Sequence, residues 1–338
     1  MPNVSVVIPT FNRLWCLPQA IESCRQSGHD IEIIVVDDGS TDGTWEWLQG
    51  QADVRSFRQA NWGKCWAVNM AVSVSRGEFI RFLDSDDLLP AGINDTQCDI
   101  ARHENADVVV AGYTVVNEVD GSTREVPWTD CDDFVAQQLG ECDSSHYSAY
   151  LFRRAFIEGV PHRQEFGFRD DRMFVIEMAL RSPKVARCDR SCLVHRHHAQ
   201  ERLQFQGGIA SVVTNRMHFA LYGKAVAMLE ARAELTPRRR RAVSRILWPL
   251  AHWTAYSHLE GACEVVDFID RLDPEFVAPN PGVLGWLYRS VGFRKTETVL
   301  QARRLILRLF NRSVMRLMAP ISRVLIPRNA ENAGAQHG

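Results

Sequence analysis

Three carboxylates fall within four positions at Asp84-Ser85-Asp86-Asp87, directly after the mostly apolar run 79–83, in which only Arg81 is polar. Carboxylates this close repel one another. A hard divalent cation with oxygen ligands relieves that repulsion, and such a cation commonly brings phosphate with it. The plainer alternative is a solvated acidic turn that caps the next helix, a position Asp and Ser favour. A second acidic group, Asp37-Asp38-Gly39-Ser40, follows the apolar run 31–36. A carboxylate there can accept hydrogen bonds from a nucleobase or from ribose hydroxyls, and the glycine lets a backbone approach closely. The same four residues also make an ordinary turn. A third pair, Asp170-Asp171, opens a run with helical spacing. Two adjacent carboxylates raise one pKa, which suits a base, whereas the flanking Arg169 and Arg172 lower it. Capping and the helix dipole alone also favour Asp-Asp at a helix start.

These groups must be held by elements that the hydrophobic pattern makes legible. Apolar runs at 4–8, 31–36, 54–57 and 79–83 read as short buried strands, with helical spacing at 14–25, 44–48 and 66–74 between them. Such alternation implies a parallel sheet covered on both faces. The ligand crevice of an open sheet of this kind lies at the C-terminal ends of its strands. There the chain carries Pro9-Thr10-Phe11-Asn12-Arg13, the 37–40 group and the 84–87 group. The loop after the first strand has no Gly-x-Gly-x-x-Gly, and no Gly-Lys-Ser/Thr phosphate loop occurs anywhere. A nucleotide bound here needs its phosphates neutralised in another way, which a metal at Asp86 would do. Further along, the pattern predicts a helix from Pro90 and Gly92 to Glu104, a strand over 107–116, a hairpin turn at Val119-Asp120-Gly121-Ser122, a helix over 132–139, a strand over 147–152, a helix over 170–180 and extended chain over 185–198. Cys188 and Cys192, followed by His195, His197 and His198, invite a zinc reading, but the spacing fits no closed tetrahedral site and alternate residues of a strand face opposite ways.

Four segments in order carry a specific resemblance: Val4-Ser5-Val6-Val7-Ile8-Pro9-Thr10-Phe11-Asn12-Arg13; Val36-Asp37-Asp38-Gly39-Ser40-Thr41-Asp42-Gly43-Thr44; Asn61-Trp62-Gly63-Lys64 with Asn69; and Gly77-Glu78-Phe79-Ile80 through Asp84-Ser85-Asp86-Asp87. Together they resemble the family 2 glycosyltransferases of GT-A fold, closely over 3–115 and more loosely over 116–200. The resemblance implies an inverting, metal-dependent sugar transfer from a nucleoside-diphosphate sugar, with UDP as the expected nucleotide. It implies nucleotide-sugar contacts at Pro9, Thr10, Asn12, Asp38, Gly63, Lys64, Asp84 and Ser85. Asp84-Ser85-Asp86 matches the family's DxD motif, so Asp86 would ligate Mg2+ or Mn2+. Asp171 matches the family's base, with Asp170 beside it. Val194-His195-Arg196-His197-His198 resembles a Tyr-Arg-x-His pattern and selects His198 as a further metal ligand, with His195 standing where the tyrosine should be.

At 338 residues, 46% hydrophobic and 24% charged, the chain has the composition of a soluble globular protein, and a formal charge of -2 gives no general reason to expect nucleic acid. Nine cysteines without regular spacing, and a strand beginning at Val4 in place of a leader, suggest reduced thiols in the cytoplasm. No apolar run is long enough to span a membrane. We expect a GT-A catalytic domain over 1–204, a helical, arginine-rich region over 205–328 and a disordered tail over 329–338. Arg304, Arg308, Arg312 and Arg316 would share one helix face. That face could cover the catalytic domain or lie on anionic lipid at the inner face of the membrane. The expected acceptor is a hydroxyl of a glycan, free or lipid-linked. The rival activities are nucleotidyl transfer, which would need a basic phosphate loop where only Arg13 could serve, and a catalytically silent binding module.

Overall fold

The computed structural model describes residues 2–306 apart from 27, 29, 201–207 and 305. Strands β1 (Val4–Thr10), β2 (Ile31–Asp37), β3 (Val54–Arg58) and β4 (Phe79–Phe82) pair in parallel in the order β3-β2-β1-β4. In β1, β2 and β4 the Val, Ile and Phe side chains other than Ile31 are covered on both faces, as buried parallel strands require, while the edge strand β3 is half-buried. Helices α1 (Leu17–Arg25), α2 (Thr44–Gln49) and α3 (Lys64–Val74) make the crossovers. Pro18 opens α1, which turns Leu17, Ala20, Ile21 and Cys24 into the core. The register pairs Thr10 with Asp37, so the loops after β1 and β2 end side by side.

Beyond β4 come α4 (Ile93–His103), β5 (Val108–Ala111), β6 (Tyr113–Asn117), β7 (Thr123–Val126), α5 (Phe134–Gln138), β8 (Leu151–Arg153), α6 (Arg154–Ile157), α7 (Asp170–Ala179), β9 (Val185–Cys188) and β10 (Val194–His197). The main sheet continues β4-β8-β5-β9, and β8 runs antiparallel to both of its neighbours, so the sheet as a whole is mixed. The single strand expected over 107–116 is two strands in two sheets. Gly112 divides them: a Cβ there would lie 2.5 Å from the Val126 carbonyl oxygen, and the chain leaves the main sheet for the small sheet β10-β6-β7. The β6–β7 hairpin turns at Gly121 (φ 73°), as its sequence predicts. The strand expected over 147–152 begins instead as a 3-10 turn, Tyr147–Ala149, before Leu151 enters β8. The extended stretch 185–198 splits into β9 and β10, one in each sheet.

Arg81, the polar residue of the β4 run, is fully buried. Its guanidinium donates to Asn94 Oδ1 (2.7 Å) and the Ser148 carbonyl (3.2 Å) and bonds Gln97 Oε1. It ties β4 to α4 through neutral acceptors only. Arg81→Ala leaves those acceptors unsatisfied around a cavity, and we expect a loss of about 3–5 kcal/mol by urea unfolding; a loss below about 1 kcal/mol would show that the network carries little stability.

The C-terminal helices are α8 (Gly208–Ala231), α9 (Pro237–Thr254), α10 (Leu259–Leu272) and α11 (Gly282–Val291). They share a core with the preceding α/β part: Leu221, Tyr222, Ala225 and Leu229 pack with Val135, Leu139, Phe166, Met173 and Ile176. Three arginines of the run at 238–241 are paired with acids, Arg239 partly buried and Arg238 and Arg241 at the surface. Arg238 pairs with Asp132 (2.6 Å) and Glu141 (2.8 Å), Arg239 with Asp133 (3.0 Å), and Arg241 with Asp273. Arg304 lies over the Tyr256 ring (3.7 Å) and pairs with Glu297 (3.3 Å). Arg308, Arg312 and Arg316, and the tail expected over 329–338, lie outside the described residues.

Candidate active site

The C-terminal ends of β1, β2 and β4 bring together residues that are far apart in sequence. Asn12, in the left-handed region (φ 52°), accepts from Thr41 N–H through Oδ1 (2.8 Å), while its own N–H donates to Ser40 Oγ (2.7 Å). Asn12 therefore splices the loops after β1 and β2. Beside it, the buried Thr10 hydroxyl has no partner among the described residues, and Pro9 is half-buried. Asp38 is buried, and its carboxylate accepts from Gln59 Nε2 (2.8 Å), Trp62 N–H (2.8 Å) and Gly63 N–H (2.9 Å). It therefore shapes the loop leading into α3. Gly63 takes φ 102°, a value a side chain would resist, and so lets Lys64 start the helix.

Lys64 reaches across the cleft to Asp84 (Nζ–Oδ1 2.6 Å). Burial alone would raise the Asp84 carboxyl, but the Lys64 ammonium, with help from His146, holds it below the usual carboxylate range. Burial alone would lower the ammonium, but Asp84 together with Tyr147, Asp170 and Asp171 pushes it well above its ordinary value. Ser85 is buried between the two acids of the motif. Asp86 Oδ2 lies 3.0 Å from His198 Nε2, and the buried Nδ1 of His198 finds no partner among the described residues. Asp87, buried, receives the Arg196 N–H (3.0 Å) and His195 Nδ1 (3.1 Å), which anchors β10 to the end of β4. Among the described residues Asp87, His146 and His195 also hold ligand-capable atoms within 4.8 Å of one another, a possible Asp/His metal site. That group includes neither Cys188 nor Cys192.

Asp170 and Asp171 form the first turn of α7. Asp170 is fixed by His162 (Nδ1–Oδ2 2.6 Å), and His162 is in turn held through its backbone by Asn69 (N–H to Oδ1 2.8 Å; its carbonyl accepts from Nδ2, 2.8 Å). The His162 contact holds Asp170 low against the effect of burial. Asp171 behaves oppositely: burial first, and the Asp170 charge second, push its carboxyl up, with Lys64, His146 and Asp84 close enough to act on it. The two carboxylates are thus driven apart. His146 and His162 could not be singled out from sequence, because neither stands at a fixed interval from an acid. The tie of Asn69 to His162 spans 93 positions.

Residues 5–159 match the family model described as glycosyl transferase family 2. The chain carries a family 2 glycosyltransferase domain. Its fold is GT-A: a structure of Staphylococcus aureus TarS residues 1–349 with UDP-GlcNAc superposes with a TM-score of 0.58 at 16% identity, covering 89% of this chain and 91% of that one. Over 125 residues the glycosyltransferase domain is 37% identical to the glycosyltransferase GlyG of Streptococcus pneumoniae, which is 35% of this chain and 42% of that protein. Over 115 residues it is 39% identical to the GalNAc(5)-diNAcBac-PP-undecaprenol beta-1,3-glucosyltransferase of Campylobacter jejuni, which is 32% of this chain and 37% of that protein. The chain thus spans less than half the length of these two relatives. The matched stretch ends before α7, so Asp170 and Asp171 lie outside it.

Proposed function

We propose that this chain transfers a sugar, with inversion, from a nucleoside-diphosphate sugar to a hydroxyl of a glycan or lipid-linked acceptor. The observation that carries this is the separation of the two α7 carboxylates at the edge of a nucleotide-type cleft: Asp170 locked ionised by His162, Asp171 raised and next to the Lys64–Asp84 pair. Thr10, Asn12, Asp38 and Gly63 frame the space for base and ribose, with Pro9 at its floor, and Asp84, Ser85 and Lys64 face the sugar diphosphate. Asp86 and His198 would hold Mg2+ or Mn2+. A carboxylate oxygen plus an imidazole nitrogen, with His198 Nδ1 left over in a buried setting, fits such an ion. When bound, it would offset the repulsion between these acids and a diphosphate and stabilise the charge on the departing group. Asp171 accepts the proton of the acceptor hydroxyl as its oxygen bonds to the anomeric carbon and the bond to the diphosphate breaks on the opposite face. UDP is the first nucleotide to try, and the undecaprenol-linked substrate in the name of the C. jejuni relative makes lipid-linked acceptors the first class.

A thermal-shift screen of nucleoside mono-, di- and triphosphates and nucleotide sugars with Mn2+ tests the reading. One diphosphate and its sugar should stabilise the fold, by about 2.7 kcal/mol at a hundredfold excess over Kd. Stabilisation by triphosphates alone, with pyrophosphate released on turnover, would favour nucleotidyl transfer instead. No response from any nucleotide would leave a silent module.

We read 1–204 as the catalytic unit and the rest as helical region, at the cytoplasmic face of the membrane. No helix of the described residues is long and apolar enough to cross a membrane. The helical region does expose Trp253, Tyr256 and Trp286, side chains suited to a lipid interface. Vesicles containing anionic lipid should carry the protein upward in a sucrose gradient, less so at high salt; protein left at the bottom would restrict these helices to covering the catalytic unit.

A further inference from the structure

Two large apolar side chains stand in water at the rim of the cleft. Trp62 is 60% exposed and Trp66 51% exposed. Their rings meet edge to face with centroids 6.4 Å apart and planes at 69°, so each keeps an open indole face. Exposed aromatic pairs of this kind usually have a partner.

The Trp62 backbone and the Trp66 indole are held in place. The Trp62 backbone N–H donates to Asp38 Oδ1 (2.8 Å) and its backbone carbonyl accepts from Gln164 Nε2 (3.5 Å). Trp66, in the first turn of α3, donates from Nε1 to Gln164 Oε1 (2.8 Å). One glutamine side chain therefore links both tryptophans to the 3-10 turn Gln164–Arg169, which runs directly into Asp170. Lys64, between the two in sequence, reaches Asp84. The pair thus bridges the loop shaped by Asp38 and the segment that presents Asp171. Because the Trp66 ring and the Trp62 backbone are already held, less conformational entropy remains to be lost on binding.

The chemistry of such a site is specific. A pyranose ring has a face of polarised C–H bonds and an edge of hydroxyls. An indole face, negative at its centre, takes the first, and neighbouring amides take the second. Asn61 and Gly63 flank Trp62 in the chain, the Gln164 side-chain amide bonds both residues of the pair, and the charge of Lys64 between them is turned to Asp84. A lipid-facing patch would be surrounded by aliphatic and cationic side chains. We infer that Trp62 and Trp66 form a subsite for the acceptor, stacking a neutral sugar ring next to the hydroxyl that Asp171 deprotonates. This deepens the glycosyltransferase reading above and rests on it.

The test uses the full chain and three probes, chitohexaose, cellohexaose and maltohexaose, titrated without nucleotide in a calorimeter. At least one should bind saturably, and in the Trp62→Ala/Trp66→Ala double variant its affinity should fall about tenfold or more. Trp62→Phe/Trp66→Phe, which keeps a ring at each position, should retain part of the affinity. UDP binding with Mn2+ should be unchanged in all variants, which shows that they remain folded. The inference is overturned if none of the three sugars binds, if the affinity survives in the double alanine variant, or if that variant loses UDP binding instead, which would assign the pair to the donor. Failure of the glycosyltransferase reading itself looks different: no nucleotide sugar is hydrolysed or bound, whatever the oligosaccharides do.

Discussion

Asp171→Asn is expected to lower kcat by about 10²–10⁴-fold while the affinity for UDP with Mn2+ stays near that of the wild type. Asparagine keeps the shape of the side chain and removes only its capacity to take a proton. The pH profile should change with it. Burial and the Asp170 charge raise the Asp171 carboxyl in the folded protein, so the wild-type rate should climb with pH through a value above the ordinary ~3.9 of an aspartate, and the residual rate of the variant should lack that limb. Stability supplies an independent check. A carboxyl raised in the fold binds its proton more tightly folded than unfolded. Ionising it therefore costs the folded state stability, a cost that begins above the unfolded pKa and is complete above the folded one. Asp171→Asn removes the cost, so its Tm should exceed that of the wild type near neutral pH and converge with it below ~3, where both carboxyls are protonated in either state. A variant that transfers sugar at near wild-type rate would place the base elsewhere. One that is slow yet less stable than the wild type at neutral pH would mean that Asp171 is a structural cap.

Asp86→Ala should abolish the Mn2+-dependent part of nucleotide binding in calorimetry, a loss of about 10²–10³-fold, because a bound cation contributes several kcal/mol against a diphosphate and each ~1.4 kcal/mol is tenfold. His198→Ala should weaken it in the same direction, since His198 Nε2 is the side-chain contact of Asp86 at 3.0 Å. The fold should tolerate both changes, as Asp86 is partly exposed and Asp87, not Asp86, joins β4 to β10 through the Arg196 N–H. Equal Mn2+-dependent binding by wild type and Asp86→Ala would remove the metal role from this motif and turn attention to Asp87, His146 and His195.

The first half of the fold was legible because its signals are local. Apolar β-branched runs fix β1 to β4, and each ends in a loop whose polar residues reveal which end of the sheet is in use. The carboxylates of the site were legible for the same reason. What was not legible depends on distance. β8 is three residues long, and its antiparallel insertion between β4 and β5 is settled by where the 3-10 turn before it points the chain. The break at Gly112 is dictated by the Val126 carbonyl of a later strand. His162 acquires its role only because Gly167 (φ 55°, ψ −127°) folds the chain back so that Asp170 meets it. The arginine run at 238–241 has the composition of a solvated or lipid-facing patch, and only the fold shows that Asp132, Asp133, Glu141 and Asp273 are waiting for it.

Helix α7 belongs to two cores at once. Phe174, Val175 and Met178 pack with the main sheet, while Met173, Ile176 and Ala179 pack with α8 and α9, and Met217 of α8 presses to within 3.1 Å of where a side chain at Gly167 would begin. On the proposed reading, donor recognition is housed in the segment that the family model matches, while Asp171 opens a helix packed against α8 and α9, which that model does not reach. On that reading a substitution in α8 or α9 would retune turnover without altering a nucleotide contact, and a chain cut at 204 would lose the helices against which α7 packs and not merely a cover.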